Sequence, residues 1–341
     1  MRFTLVSTVF NEAKRLEQTI QDLQAQTLQP SEIIITDAGS TDGTYEMLLA
    51  WKARSVVPIV ILQKQRCNVA EGRNMAIRAA QYDLIASTDF GCRFHPQWLE
   101  SLMQPFADPT VKVVGGAFAV VEQDIQTTAA KAAYLLSSGY QVDVHADWFI
   151  PSSRSIAYYK EVFTTIGGYC EWLTLAADDL VFGKEIKAHQ YKIFIVDKPF
   201  VYWGRHTQAN GYIKEAFRYG LGDGEARVNQ RSVLSTTIEM SMRYLFFISL
   251  IVLPVLIAMN ILPGYSLFLS VLLLPGLRSY VSYTRNWIRL DYKYGWRVFL
   301  YGYILLEQTR RSYIKGYCKG YFKSNDAQKQ AAAALQQRLA Q

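Results

Sequence analysis

Four short apolar runs before Asp89, separated by amphipathic segments of helix length, restrict this chain more than any other feature. Phe3–Ser7, Glu32–Thr36, Ile59–Leu62 and Asp83–Thr88 are brief, rich in β-formers and bounded by turn residues, which predicts buried strands. Between them, Glu12–Gln26, Thr44–Arg54 and Ala70–Ala80 carry helical periodicity. Strands alternating with helices predict an α/β fold, a mostly parallel sheet covered on both faces that binds ligands beyond the carboxyl ends of its strands. The residues with chemistry to offer lie at those ends: Thr8–Glu12, Asp37–Thr44 and Asp89–Arg93.

Past a strand pattern at Lys112–Val120, a helix is expected over Thr127–Asp147 and a loop at Pro151-Ser152-Ser153-Arg154. More helix and strand patterns end near Trp203, and Asn210–Asn229 reads as helix. Tyr244 to Leu277 then runs 34 residues without Asp, Glu, Lys or Arg, interrupted by a Pro263-Gly264 turn. A bilayer crossing takes about 20 apolar residues. Arg243–Leu262 nearly supplies one, and Tyr265–Leu277 approaches a second if it extends to Tyr283 with Arg278 snorkelling. The uncharged turn and the flanking Lys and Arg predict a membrane hairpin with both ends cytoplasmic. The alternative is an apolar hairpin lying in the interface or packed in a protein core.

Ser282–Gln341 holds 11 Lys and Arg against 3 Asp and Glu, so of a whole-chain charge of +7 only −1 belongs to Met1–Val281. That distribution argues against a nucleic-acid-binding main domain. In the basic segment Trp287, Tyr292, Tyr294, Trp296, Tyr301, Tyr303, Tyr313, Tyr317 and Tyr321 interleave with Arg310, Arg311, Lys315, Lys319 and Lys323, which suits lipid headgroups. Gln328–Gln341 reads as a weak, frayed helix. The expected division is an α/β domain at 1–230, a linker and hairpin at 231–283, and a basic aromatic interfacial segment with tail at 284–341. An opening that turns polar by Asn11-Glu12 and four scattered cysteines predict that the α/β domain stays in the reducing cytoplasm, with the hairpin at the inner membrane.

In TDAGSTDGT (Thr36–Thr44) a strand ends in an aspartate and small residues permit a tight turn into a helix. Asp37 either caps that helix or accepts hydrogen bonds from a ligand. VSTVFNEA (Val6–Ala13) and STDFGCRFHP (Ser87–Pro96) end their strands similarly, at Glu12 and Asp89. Carboxylates at neighbouring strand ends repel one another unless a cation or a donor-rich ligand sits among them. A divalent metal bridging to a diphosphate is the natural occupant.

Taken in order, these motifs resemble glycosyltransferase family 2, nucleotide-sugar-dependent enzymes of the GT-A fold, over about Arg2–Arg205. NVAEGRNMAI (Asn68–Ile77) is similar to the family's Arg-Asn segment, STDFG stands at its Asp-X-Asp, and GGYCEWLTLAADDLVFGKEIKAHQYKI (Gly167–Ile193) resembles its acceptor loop and acidic pair. The resemblance implies Asp37 on the nucleobase with Thr8 and Phe10 beside it, Glu12 in the same donor-binding set, and Arg73 near base or ribose. It implies Asp89 as ligand of Mg2+ or Mn2+ on the diphosphate, and Asp179 as general base with Asp178 beside it. Gly91 stands where the family has the second aspartate, so one anionic ligand is missing, which leaves metal binding weaker, leaning on diphosphate oxygens and water, or using another side chain such as His206.

The implied activity is inverting, hexosyltransferase-type transfer from a nucleoside-diphosphate sugar, UDP favoured, to a hydroxyl of a glycan or lipid-linked acceptor in cell-surface polysaccharide synthesis. Transfer to a polyprenyl phosphate and a non-catalytic binding module of a membrane assembly are the competing readings. Ser152, Ser153, Arg154, Trp203 and Arg205 are secondary candidates near the acceptor or sugar. RYGLGDGEAR (Arg218–Arg227) is either a flexible gate or a solvated helix with a glycine break.

Overall fold

The computed structural model describes residues 1–140, 143–290 and 293–340. Tyr292 and Gln341 of the expected interfacial segment and tail lie outside the described residues. The first half alternates as its sequence predicts: β1 (Thr4–Val9), α1 (Ala13–Gln24), β2 (Glu32–Asp37), α2 (Thr44–Arg54), β3 (Ile59–Gln63), α3 (Val69–Ala79) and β4 (Leu84–Ser87). The strands pair in parallel, β3-β2-β1-β4. Successive side chains along a strand point to opposite faces. Leu5, Val9, Ile33, Ile35, Leu84 and Ala86 therefore meet Leu16, Ile20 and Leu23 of α1 and Leu48 and Trp51 of α2. Val6, Ile34 and Ile85 meet Ala70, Ala76 and Ile77 of α3 on the other face. Burying one such Ile or Leu fully contributes about 1.5–3 kcal/mol.

The sheet continues through β5 (Arg93–Phe94), β6 (Val113–Val120), β7 (Ile156–Tyr159) and β8 (Ile193–Trp203), in the order β3-β2-β1-β4-β7-β6-β8-β5. β7 is antiparallel to both neighbours and β5 is antiparallel to β8, so the sheet is mixed. Helices α4 (Trp98–Met103), α5 (Thr128–Leu136), α6 (Lys160–Ile166), α7 (Asp178–Ala188) and α8 (Ala209–Glu225) complete this part. The helix expected over Thr127–Asp147 stops at Leu136, because Ser138, Gly139 and Tyr140 take φ values of 52°, 73° and 55°. That left-handed run cannot continue an α-helix.

Beyond α8 come α9 (Gln230–Ala258), a 3₁₀-helical stretch at Gly264–Leu277, α10 (Arg278–Arg289), α11 (Trp296–Lys323) and α12 (Asp326–Leu339). Gln230–Ala258 and Gly264–Arg289 are both long and apolar enough to cross a membrane. The basic aromatic helix α11 does more than present a surface: it packs backbone-to-backbone on α8. A Cβ on Gly220 would lie 2.0 Å from the Tyr313 carbonyl oxygen, and one on Gly224 would lie 2.2 Å from that of Tyr317. Reciprocally, Gly316 and Gly320 of α11 lie against the carbonyls of Phe217 and Leu221. Two glycines four apart on each helix thus let the axes approach closely.

This arrangement corrects the expectation for Arg218–Arg227. Gly220 to Glu225 are buried in a continuous helix, neither a gate nor a solvated break. The terminal helix is also firmer than its Ala/Gln composition suggested. α12 opens with an Asn325 capping box, buries Ala332 and Leu335, and pairs Arg338 with the buried Glu185 of α7 at 2.7 Å.

Candidate active site

Strand ends and helix starts are laced together before any catalytic group is placed. Asn11 N–H donates to Ser40 Oγ, Glu12 N–H to Thr44 Oγ1 and Ala13 N–H to Asp42, while the Asn11 side chain accepts from Thr41 N–H. Asp37 is fully buried and accepts from the N–H groups of Gly39 and Ser40, with the Gln63 amide at 3.4 Å. The carboxylate holds its own turn. That turn, with Thr8, Phe10, Gln65, Asn68, Leu175 and Arg218, lines a cavity of about 690 Å³. A slightly larger one, about 710 Å³, lies between α4 and β8 and contains none of the predicted site residues.

Arg73 lies away from the wall of the first cavity. Its buried guanidinium donates to Asp89 at 2.8 Å and to Asp178, and stands over the Tyr169 ring at 4.8 Å. From Asp89 the connection continues to Arg154, at 3.8 Å, whose Nη1 donates to Ser152 Oγ at 2.8 Å. Ser152 Oγ in turn donates to Asp179 Oδ2 at 3.1 Å. Asp178, Arg73, Asp89, Arg154, Ser152 and Asp179 thus form one circuit that joins the β4 end, α3, the loop before β7 and the first turn of α7. Burial pushes Asp178 up to about 6, against the pull of Arg73. The Asp179 Oδ1 accepts from Leu180 N–H at 2.8 Å, so the carboxylate is aimed from both sides.

Asn74, next to Arg73, grips the loop of Gly167–Tyr169. Its amide donates to Tyr169 O and accepts from Tyr169 N–H, both at 2.9 Å. Asn74 was legible as half of a motif but its partner was not, because the two ends are separated by 95 residues. Arg154 and Trp203 also meet, at 3.9 Å, and Arg205 stands 3.7 Å from the same ring. Arg205 is committed to Glu215 through two hydrogen bonds, and His206 sits beside Glu215 at 3.9 Å.

Gly91 has φ +88°, and a Cβ built there would lie 2.7 Å from Glu12 Oε2. Glu12 therefore fills, from the β1–α1 turn, the space that a side chain at 91 would take. Burial pushes its carboxyl up to about 7, opposed by Arg15 and reinforced by Asp42 and Asp89. Among the described residues no three His, Cys, Asp or Glu side chains form a ready metal cluster. Asp89 and Glu12 nevertheless offer hard oxygen donors at one place, the chemistry Mg2+ and Mn2+ prefer.

Residues 4–167 match the sequence profile described as "Glycosyl transferase family 2". Those residues belong to glycosyltransferase family 2. Validoxylamine A glucosyltransferase of Streptomyces hygroscopicus subsp. jinggangensis is 32% identical over 116 residues, covering 33% of this chain and 28% of that protein. O-antigen chain rhamnosyltransferase WbaN of Salmonella anatum is 26% identical over 202 residues, 56% of this chain and 62% of that one. The chain spans about a quarter to two fifths of the length of curated relatives such as the validoxylamine enzymes and an archaeal glycosyltransferase. In fold it is similar to the mannosyltransferase PcManGT of Pyrobaculum calidifontis, solved with GDP-Man and Mn2+. The TM-score is 0.54 at 16% identity, over 95% of this chain and 88% of that one. The family 2 domain accordingly has the GT-A architecture.

Proposed function

We propose that this chain is an inverting glycosyltransferase that moves a hexosyl group from a nucleoside-diphosphate sugar, UDP favoured, to a hydroxyl of a glycan or lipid-linked acceptor at a membrane. The circuit from Asp89 to the Asp178–Asp179 pair carries this reading, because it ties a donor-side carboxylate to the acceptor-side pair, through buried Arg73 to Asp178 and through Arg154 and Ser152 to Asp179. The base and ribose occupy the 690 Å³ cavity beside Thr8 and Phe10. Asp37 secures its wall and keeps lone-pair capacity for a base N–H.

Asp89 and Glu12 would hold a divalent cation, with Glu12 replacing the oxygen donor that Gly91 lacks. Bound there, the cation would neutralise charge on the leaving diphosphate. Arg154 and Arg218 offer additional positive charge toward the same group. Asp178 is locked to Arg73, which leaves Asp179, oriented by Ser152 and Leu180 N–H, to take the proton of the attacking hydroxyl. One displacement by that hydroxyl inverts the anomeric centre without a covalent enzyme intermediate. The apolar hairpin attaches the enzyme to the inner face of the plasma membrane, with the catalytic domain cytoplasmic.

Calorimetric titration of detergent-purified protein with UDP, GDP and dTDP, with and without Mn2+, tests this reading. Metal-dependent binding of one nucleotide is expected, lost in Asp37→Ala and Asp89→Ala and kept in Asp179→Asn, which should abolish transfer alone. Folded protein that binds none of the three would overturn the proposal.

A further inference from the structure

Although Gln230–Ala258 and Gly264–Arg289 taken whole are long enough to cross a membrane, the charge-free hairpin that begins beyond Arg243 and ends before Arg278 is shorter than a bilayer's hydrocarbon core. Its open end is marked by Arg243, fully buried, whose guanidinium meets Glu239, Glu307, the Gly276 carbonyl and Ser279. A Cβ on Gly276 would lie 2.4 Å from Arg243 N, so the two arms are level at that point. From Arg243 to Met259 the α-helical rise gives about 24 Å. From Gly276 back to Gly264 the 3₁₀ rise gives about 24 Å as well. The two arms agree, and both fall short of a hydrocarbon core of about 30 Å.

The tip supplies an independent observation. Most backbone donors of the turn are paired within it, while the N–H groups of Gly264 and Tyr265 have no backbone acceptor among the described residues. Met259 N–H donates to Val255 O, Asn260 to Ile257 O, and Ile261 and Leu262 to Leu256 O; residue 263 is proline and has no N–H; Ser266 N–H donates to Pro263 O. Midway along the arms the hydroxyls of Ser249 and Ser270 bond each other at 2.8 Å, and Ser249 also donates to Phe246 O. The outward side chains Met259, Ile261, Tyr265, Phe268 and Leu272 are all well exposed. A turn that emerged into water would not present Met259, Ile261 and Phe268 there.

We propose that this hairpin enters the bilayer from the catalytic side and ends inside it, holding the protein on one face only. The occupant of its apolar surface is the lipid acyl chain. The inference rests on the membrane attachment in the reading above, and it is independent of the sugar chemistry.

The test places a nitroxide on Ile261→Cys, in a Cys318→Ser background, with protein bound to phosphatidylcholine–phosphatidylglycerol vesicles. Co-flotation reports attachment. Collision with oxygen against collision with a water-soluble nickel chelate, present on both sides of the bilayer, reports depth. Flotation with high oxygen and low nickel accessibility is expected, and Phe268→Cys serves as a second site should Ile261→Cys not fold. Flotation with nickel-accessible label would overturn the proposal while leaving attachment intact. Protein that does not float, or remains in solution as an oligomer covering the hairpin, would remove both.

Discussion

Replacing Gly91 by aspartate restores the Asp-X-Asp pattern on paper, and the structure predicts that it damages the protein. At φ +88° a side chain costs about 1–2 kcal/mol. Its Cβ would start 2.7 Å from Glu12 Oε2, and forcing that pair apart costs about 1–3 kcal/mol more. Two carboxylates about 4 Å apart repel by roughly 4 kcal/mol at an effective dielectric near 20. Near pH 7 most of that repulsion is avoided, because Glu12, already held at about 7 by burial, takes up a proton. The expected loss for Gly91→Asp is therefore about 3 kcal/mol at pH 7. Above pH 7 the proton becomes harder to keep, so the loss grows by up to about 1.4 kcal/mol per pH unit until the full repulsion is reached. Below pH 7 it does not grow. Denaturant unfolding followed by tryptophan fluorescence in detergent, over a cycle with Glu12→Ala, measures this. The double variant should recover about 2 kcal/mol, leaving the backbone cost. Gly91→Asp as stable as the parent, or a loss that Glu12→Ala does not repair, would refute the view that Glu12 occupies this space.

Gly220→Ala should destabilise by about 1–3 kcal/mol in the same assay, although alanine gains about 1 kcal/mol in helix propensity, because its methyl would meet the Tyr313 carbonyl. Net stabilisation would disprove the close packing of α8 on α11. Arg338→Ala strips the charged partner from buried Glu185 and should cost about 2 kcal/mol, less than the 3–5 of a fully buried pair because Arg338 is partly exposed. Glu185→Gln in the Arg338→Ala background should restore much of it. Among the thiols, exposed Cys318 should react first with iodoacetamide at pH 8, while Cys92, fully buried and pushed up to about 12 by that burial, should resist until the protein unfolds. Mass spectrometry of the modified peptides decides the order.

The strands and helices before Asp89 were legible because each one's burial is written locally, as a short apolar run buried on both faces for β1 and β2 and as a period near 3.6 for α1. The carboxylates at the strand ends followed from the same pattern. What the sequence hid was partnership across distance. Nothing local to Arg73 says that its guanidinium turns to Asp89 and Asp178 rather than outward to a ribose. Nothing in VFNEA says that Glu12 reaches the space over Gly91. The Ala/Gln run of α12 looks weak because isolated helix propensity carries no information about Leu335 or the buried Glu185 awaiting Arg338. Glycines in Arg218–Arg227 read as flexibility, since a glycine that admits a neighbouring backbone and one that permits motion look identical in one dimension.

The glycine contacts between α8 and α11 also fix a direction. Gly220 meets Tyr313 and Gly224 meets Tyr317, so the two helices run the same way. A chain leaving α8 beside Tyr321 must travel back about 38 Å to begin α11 at Trp296. The apolar hairpin is carried on that return. A fragment that keeps the family 2 domain without the hairpin therefore cannot be made by stopping the chain after α8, since this would bare a glycine-lined helix and discard α12. It requires residues 1–229 joined to 296–340 by a new connection of at least about a dozen extended residues.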